Sequence, residues 1–262
     1  MNQAIPMQKR RIAPWGWPLV ALRLLSMLAL LVVSVPLYYL AAPFAKRNPV
    51  PRRFLQAIGA VAGLRVRTRG QRPARRTFFL SNHVTWLDIL AIAGETGSAF
   101  VAHDGLAQIG PLRWLCRLND TVFVARHDRS SVANQIDQIR TALADTGALT
   151  IFPEGTCSDG TATLPFKSSL LSALADDDNS EVVPVQPIWL DYGRETRAIA
   201  WVGEEPGLDN ALVILARWRA VDLTMHFLPP LPPKDRADRK RMALAAREAI
   251  ETAAGRMRRA DS

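Results

Sequence analysis

A run of 22 residues without a charged side chain, residues 24–45, constrains the fold of this chain more than any other feature. Most of the run is Leu, Val and Ala, and as a helix it would measure about 33 Å, close to the hydrocarbon thickness of a bilayer. Tyr38 and Tyr39 lie at one end of the run, and Trp15 and Trp17 precede the other. Aromatic residues in these places are typical of the membrane–water interface. We therefore expect a membrane-embedded helical segment near the N-terminus.

Pro36 is expected to kink or divide this helix, because proline lacks the backbone N–H and clashes with the preceding turn. Basic residues flank both ends of the run, so loop charge defines no direction of crossing. The pattern favours a kinked helical pair that dips into one leaflet over a single straight span. A cleaved signal peptide is disfavoured, since the run is long and the small pair Ala41-Ala42 is followed by Pro43.

Positive charge is concentrated before the first acidic residue, Asp88. The chain has a net charge of +9, and 14 Lys and Arg residues precede Asp88, so the remainder has a net charge of 9 − 14 = −5. A local excess of this kind favours a polyanionic partner. We expect an anionic membrane surface and no nucleic acid, because the apolar run adjoins the basic residues and no nucleic-acid-binding module with interleaved aromatic residues is found.

Neither a metal site nor a disulfide framework is indicated by the cysteines and histidines. Cys116 and Cys157 are the two cysteines, and they are too far apart for zinc-type spacing. Apart from the motif described below, the histidines His103, His127 and His226 are scattered along the chain. We expect two reduced thiols, no metal and no cofactor.

Alternation of strands and helices from residue 64 onward predicts an α/β domain with a mixed sheet. We divide the chain into a basic, membrane-embedded segment, 1–53, and a catalytic domain, 54–262. Strands are predicted at 64–69, 77–80, 99–102, 121–125, 148–152, 182–190, 197–202 and 221–227. Helices are predicted at 86–95, before 118, at 130–146, at 167–175 and in a basic tail, 235–259, for which a solvated surface helix is favoured over a membrane contact. Pro184 and Pro187 predict an edge position or a bulge for the strand that holds them.

The first motif that carries chemistry runs from Asn82 to Asp88. On one helix His83 and Asp88 would be separated by about 140° beyond a full turn and would not face each other. They can meet if His83 lies in a loop after a strand and Asp88 lies in the first turn of the next helix. The carboxylate would then hold one imidazole nitrogen and leave the other as a base. From spacing alone, a structural His–Asp pair is the commoner explanation.

The second motif follows the strand predicted at 148–152 and runs from Phe152 to Gly160. Functional residues often lie at the carboxyl ends of strands in α/β sheets, and glycines allow a ligand to approach the backbone. Glu154 could bind a hydroxyl or a cationic group. Taken alone, the motif is more typical of a tight turn.

Together, the two motifs resemble those of the acyltransferases that acylate glycerol-3-phosphate and lysophosphatidic acid. The hallmarks of that family are Asn-His-x4-Asp, present as 82–88, and Phe-Pro-Glu-Gly-Thr, present as 152–156. Two weaker blocks match in the same order: Phe123-Val-Ala-Arg126 and Val183-Pro-Val-Gln-Pro187. The resemblance covers residues 77–190 and extends through the apolar helix to the start of the chain. It implies a glycerolipid acyltransferase fold, a mixed-sheet α/β domain preceded by membrane-embedded helices.

By this resemblance, His83 deprotonates the hydroxyl of a lysolipid and Asp88 orients the imidazole. The oxygen attacks the thioester of acyl-CoA or acyl-carrier protein, and we expect backbone N–H groups or a water to bind the oxyanion. Arg126 is expected to hold an anionic head group. Further substrate-binding residues are expected in or near the two motifs: Asn82, Glu154, Gly155, Thr156 and Lys167. The last of these could equally be a surface residue at a helix start.

One position departs from the family pattern, because Cys157 stands where an Arg commonly follows Phe-Pro-Glu-Gly-Thr. A thiol cannot bind phosphate as a guanidinium does, and the surrounding sequence is similar to a bacterial branch that includes lyso-ornithine lipid acyltransferases. Both lysophosphatidic acid and lyso-ornithine lipid therefore stay open as acceptors. The alternatives to an acyltransferase are a thioesterase or lipid hydrolase, for which no Gly-x-Ser-x-Gly nucleophile motif is found, and a non-catalytic membrane adaptor. The expected location is the bacterial inner membrane, with the catalytic domain on the cytoplasmic side, where both thioester donors are found.

Overall fold

The structure, a computed structural model of the chain, describes residues 11–45, 47–71, 73, 76–103, 110–119, 121–124, 132–169, 171, 183–236 and 238–260. Within these residues the strands are Leu64–Gly70 (β1), Thr77–Ser81 (β2), Ala99–His103 (β3), Val122–Val124 (β4), Ala148–Ile151 (β5), Val185–Asp191 (β6) and Val221–Phe227 (β7). The helices are Trp17–Ala41 (α1), Val50–Val61 (α2), Leu87–Thr96 (α3), Gly110–Leu118 (α4), Val132–Thr146 (α5), Thr196–Ile199 (α6), Gly207–Leu215 (α7), Pro233–Arg236 (α8) and Arg239–Ala260 (α9). The predicted α/β domain with a mixed sheet is confirmed.

All seven strands belong to one sheet, in the order β1-β7-β6-β2-β5-β3-β4. The strands β6, β2, β5, β3 and β4 run parallel, whereas β7 is antiparallel to β6 and carries β1 parallel to itself at the edge. Because β6, β2 and β5 are parallel neighbours, their carboxyl ends lie at one edge of the sheet. The chain segments that follow these three strands are therefore brought together, and both motifs are among them.

Helices cover both faces of the sheet and bury its central strand. On β2, Phe79 points into one hydrophobic cluster with residues of α1, α3 and α7, while Phe78 and Leu80 point into the other with residues of α5 and α9. All five residues of β2 are buried. The tail helix α9 packs one face on this second cluster through Met242 and Ala246, as a surface helix of the domain would.

The apolar run forms one helix, α1, which continues through Pro36, so the expected division at this residue is wrong. At the end of the helix, the Tyr38 carbonyl accepts two hydrogen bonds. One comes from the backbone N–H of Ala42 at 3.0 Å, and the other comes from the side-chain amide of Asn48, beyond the helix, at 2.8 Å. The second helix of the N-terminal segment is α2, which packs along α1 and α3. The boundary predicted between residues 53 and 54 falls within α2, and the division into two domains stays a prediction.

Two strand predictions differ from the structure. The strand predicted at 197–202 is wrong, since α6 occupies its first half and the Asn210 side chain binds the carbonyls of Ile199 and Ala200 that a sheet neighbour would have bonded. The strand with Pro187 is central, between β7 and β2. The carbonyl of Pro187 faces the β7 side, where it accepts the N–H of Leu228, and the backbone nitrogen of a strand residue faces the same side as its carbonyl. Since the pairing with β7 ends at Phe227, the missing N–H of Pro187 costs no hydrogen bond within the sheet. The helix predicted at 167–175 lies largely outside the described residues.

Candidate active site

His83 and Asp88 meet at the carboxyl end of β2. His83 lies in the loop after the strand and Asp88 in the first turn of α3, and their side chains are joined by a bond of 2.8 Å from Nδ1 to Oδ2. The same carboxylate oxygen accepts the backbone N–H groups of Val84 at 2.6 Å and Thr85 at 3.0 Å. Since Oδ2 is an acceptor for both, Nδ1 is the donor and the other ring nitrogen, Nε2, keeps its lone pair. The contact predicted from the spacing is confirmed.

The His83 ring is packed on one face and accessible at one edge. It stacks on Phe152, with ring centroids 4.0 Å apart and planes at 16°, and Phe152 in turn stacks on Phe100. Asp88 is fully buried, whereas the His83 side chain is 15% exposed. In the part of the chain that is described, Nε2 has no hydrogen-bond partner. The ring therefore presents one unoccupied basic nitrogen, and its orientation is fixed by Asp88 and Phe152.

Glu154 ties the two motifs together through the backbone. Its side chain is 1% exposed, and its two oxygens accept the backbone N–H groups of His83 and Leu164, each at 2.8 Å. Burial raises the pKa of Glu154 to about 7, although the hydrogen bonds from Leu164 and His83 lower it. Because both oxygens are occupied by backbone groups, this carboxylate fixes the position of His83.

The loop after the second motif also holds the His83 backbone. The Ser158 backbone N–H and hydroxyl both donate to the His83 carbonyl, at 2.7 and 3.1 Å. At Gly160 the chain has φ of 71°, and a Cβ atom there would lie 2.2 Å from Thr196. Only glycine fits so closely against α6. This close approach keeps the segment after the second motif packed on the His83 loop.

The other predicted substrate-binding residues occupy different surroundings. Asn82 is buried, and its amide exchanges both hydrogen bonds with the Leu190 backbone, so it extends the pairing of β2 and β6. Gly155 and Thr156 lie at the accessible edge of the turn. Exposed Lys167 donates its backbone N–H to the Pro153 carbonyl at 2.8 Å, and its Nζ would lie 2.9 Å from a Cβ atom on Gly155. Its ammonium therefore lies against the second motif. Arg126 lies outside the described residues.

Two further residues at this site carry no role in the sequence-based prediction. Tyr192 follows β6 and donates its hydroxyl to Asp88 Oδ1 at 2.5 Å. Burial raises the pKa of Tyr192 well above its ordinary value, and the charge of Asp88 raises it further. Cys157, predicted only as a departure from the family pattern, is partly buried. Burial raises the pKa of its thiol, as do the carboxylates of Asp88 and Glu154, so the thiol is un-ionised at neutral pH.

No local pattern indicates Tyr192, because it is 104 residues away from Asp88 in sequence. The available signal is indirect. Tyr192 directly follows a strand that is the parallel neighbour of β2, and residues at such positions share the same edge of the sheet.

Comparisons with known proteins identify the family. A family model described as Acyltransferase matches residues 63–191, which include both motifs. The chain is 34% identical over 243 residues to the lyso-ornithine lipid O-acyltransferase of Rhizobium meliloti, covering 87% of this chain and 83% of the relative. It is 32% identical over 209 residues to the protein of the same name from Rhodobacter capsulatus, covering 76% and 74% of the two chains.

A solved structure shares the fold. The crystal structure of the 1-acyl-sn-glycerophosphate (LPA) acyltransferase PlsC from Thermotoga maritima matches with a TM-score of 0.61 at 18% identity, over 92% of this chain and 98% of that one. This likeness supports the fold, and the closer sequence relatives support the activity. The chain therefore belongs to the lysophospholipid acyltransferase family, and it is an O-acyltransferase that transfers an acyl chain to a lysolipid.

Proposed function

We propose that His83 is the general base of this transfer and that Asp88 orients and stabilises its ring. The observation that carries the proposal is the geometry of the imidazole, whose Nδ1 is bound to Asp88 while Nε2 is unoccupied among the described residues. A buried carboxylate on Nδ1 fixes the tautomer in which Nε2 accepts a proton, and it stabilises the imidazolium that results. The nucleophile is then supplied by the substrate.

The reaction follows from these positions. Nε2 takes the proton of the acceptor hydroxyl as its oxygen attacks the carbonyl carbon of an acyl thioester, acyl-CoA or acyl-carrier protein. The tetrahedral intermediate collapses, the C–S bond breaks, and the imidazolium returns its proton to the departing thiolate. The ester bond replaces the thioester bond, and His83 ends in the state in which it began. The stacked Phe152 excludes water from one face of the ring.

We propose lyso-ornithine lipid as the acceptor. Two kinds of observation support it: the relatives compared above carry that name, and Cys157 stands where a phosphate-binding Arg is common in the family. Burial raises the pKa of the Cys157 thiol, and the carboxylates of Asp88 and Glu154 raise it further, so two carboxylates lie near this position. An acceptor whose head group carries an amine suits such surroundings better than a phosphate monoester. Lys167 and Arg126 are then the proposed cations that bind an anionic group of the substrate.

The test is an acyl-transfer assay on purified enzyme in vesicles, with lyso-ornithine lipid and lysophosphatidic acid offered in parallel and each thioester donor supplied in turn. His83→Ala is expected to lower kcat/KM by about 10²–10⁴-fold, the range that general-base catalysis contributes. The matched control is His226→Asn, since His226 lies on β7, outside both motifs in sequence, where it stacks on Trp189.

The products decide between the alternatives. Acylated lyso-ornithine lipid with no product from lysophosphatidic acid supports the proposed acceptor, and the reverse preference contradicts it. Free fatty acid released in place of a diacyl product would favour a hydrolase. Activity in His83→Ala equal to that of the wild type would rule out the base assigned here.

Membrane association accords with the exposed surface of α1 and with the bacterial relatives. We propose that α1 lies along the membrane surface, with its outer face in one leaflet. Residues of its inner face dock on the domain: Val20 is 2% exposed, and the Arg23 guanidinium donates to the Leu215 carbonyl at the end of α7 at 3.0 Å. The other end is tied through Tyr38 to Asn48. Contact with α7 near its start and packing against α2 favour a helix that dips over one that spans.

Since thioester donors are made in the cytoplasm, we place the domain on the cytoplasmic side of the inner membrane.

A further inference from the structure

Asp88 has a second side-chain partner, buried Tyr192, that the reaction above does not use. Its Oδ2 accepts a hydrogen bond from His83 Nδ1 at 2.8 Å, while its Oδ1 accepts one from the Tyr192 hydroxyl at 2.5 Å. The carboxylate thus links the phenol to the imidazole. We infer that Tyr192 is a positioning residue that acts through Asp88 to set the pH at which His83 becomes a free base. This inference rests on the proposed role of His83.

The fold fixes the Tyr192 hydroxyl in this position. Tyr192 follows the last residue of β6, and the Asn82 side chain extends the pairing of β6 with β2 by bonding both backbone groups of Leu190. The ring is 3% exposed and packs in the hydrophobic cluster that contains Val84. Because the ring is enclosed, the hydroxyl cannot exchange its carboxylate partner for bulk water.

The hydrogen bond from Tyr192 to Oδ1 determines the direction in which the pH of His83 deprotonation moves. A donor on Oδ1 stabilises the negative charge of the carboxylate, and the carboxylate therefore holds the imidazolium proton less tightly. Without that donor, the His83–Asp88 pair keeps its proton to a higher pH. The other titratable groups that face the pair in the described part of the chain are Glu154 and Cys157, both on the segment after β5, with the Lys167 ammonium beyond them against Gly155. None of these groups bonds Oδ1 of Asp88.

The test is Tyr192→Phe, which removes the hydroxyl and keeps the ring. We expect the acid limb of the kcat/KM profile to move up by about 0.5–1 pH unit, which lowers kcat/KM on that limb by up to about 3–10-fold. KM for the acceptor is expected to stay the same, because Tyr192 touches no substrate. A second readout needs no substrate: the NMR titration of the ¹⁵N-labelled His83 ring in detergent, assigned by its loss in His83→Ala, is expected to move its midpoint in the same direction.

Two further variants separate positioning from packing. Ser98→Ala removes another buried hydroxyl, one bonded to Thr150 Oγ1 at 2.7 Å and not to His83 or Asp88, so it lowers thermal stability without moving the pH profile. Replacement of Tyr192 by 3-fluorotyrosine keeps the shape and makes the phenol a stronger donor. It is expected to move the His83 midpoint to lower pH, opposite to Tyr192→Phe.

Opposite shifts of the His83 midpoint in the two Tyr192 variants would establish the inference. A midpoint that is unchanged or lower in Tyr192→Phe, with or without a lower melting temperature, would overturn it and leave Tyr192 a packing residue. The outcome is distinguishable from failure of the proposed function, because that failure appears as activity in His83→Ala, whereas the NMR titration reports on Tyr192 whether or not His83 is the base.

Discussion

Glu154 accepts the backbone N–H of His83 with one oxygen and that of Leu164 with the other, so one carboxylate joins the histidine loop to the loop that follows the second motif. A side chain with two acceptor atoms is needed there, since two backbone N–H groups face the buried carboxylate. Glutamate meets this need in both its ionised and its protonated form, whereas glutamine has only one acceptor atom.

Glu154→Gln is therefore expected to leave one of the two backbone N–H groups without its acceptor. The expected cost is about 1–3 kcal/mol of unfolding free energy below about pH 4.5, where Glu154 is protonated in both the folded and the unfolded chain. Acyl transfer is expected to fall by about tenfold or more, because the His83 backbone loses part of its support. Denaturant unfolding in detergent and the acyl-transfer assay measure the two effects. A variant with wild-type stability and rate would show that the Glu154 bonds to the backbone do not hold the site.

Stability should also depend on pH through Glu154. Burial raises its pKa from 4.5 to about 7, so the folded protein holds the proton more tightly than the unfolded chain. Its contribution is fully present below about pH 4.5 and is lost as pH rises through about 7. We expect the difference in unfolding free energy between wild type and Glu154→Gln to shrink over that range, by up to about 3 kcal/mol. Glu251→Gln, at a side chain that is 41% exposed, is the matched control.

Cys157 lies beside the proposed base, but its thiol is protonated at neutral pH because burial and two carboxylates raise its pKa. We expect Cys157→Ala to retain acyl transfer within about threefold, and alkylation of Cys157 by N-ethylmaleimide at pH 7 to be slow. Cys116→Ala is the control for loss of a thiol elsewhere. A fall of more than about tenfold in Cys157→Ala alone would mean that the thiol takes part in binding or chemistry.

At the scale of elements, α9 is a long basic helix that the sequence leaves open as a solvated helix or a membrane contact. In the structure its inner face packs on the sheet, where Met242 is fully buried, while Leu244 on another face is 56% exposed. We expect Met242→Ala to cost about 2–5 kcal/mol of unfolding free energy and Leu244→Ala less than about 0.5 kcal/mol. Thermal unfolding of both variants in the same detergent is the measurement. A larger loss for Leu244→Ala would contradict the packing of α9 on the sheet.

The elements predicted correctly are those whose signal is local. Alternation predicts β1 as a half-exposed strand, and a continuous apolar run predicts the buried strand β5. The His83–Asp88 contact is also local, since one loop and one helical turn bring the two side chains together. The position of β6 depends on distant strands, and Pro187 is accommodated only because β7 ends beside it. The contact of Tyr192 with Asp88 is equally non-local, so it is visible only once the strand order is known.

At the scale of the whole molecule, α1 packs on α7 and on α2. Gly16, at its start, is so close to α7 that a Cβ atom there would lie 3.1 Å from the Cβ of Ala216. Arg23 binds the last carbonyls of α7, and Asn48 binds the end of α1 near α2. The outer face is apolar and exposed: Leu22, Leu25, Leu28, Val32, Val33 and Leu40. An exposed apolar face on a helix docked along its other side suits insertion into one leaflet.

This arrangement predicts that both ends of α1 lie on the same side of the membrane. In a Cys116→Ala, Cys157→Ala background, Trp15→Cys and Phe44→Cys place single thiols at residues that are 70% and 90% exposed at the two ends of the helix. In inside-out membrane vesicles, a membrane-impermeant maleimide is expected to label both variants, and right-side-out vesicles should protect both until detergent is added. A helix of 25 residues is about 37 Å long and could cross the bilayer if it were upright. Labelling of the two positions from opposite faces would show that it does so, and that α1 leaves the domain surface in the membrane.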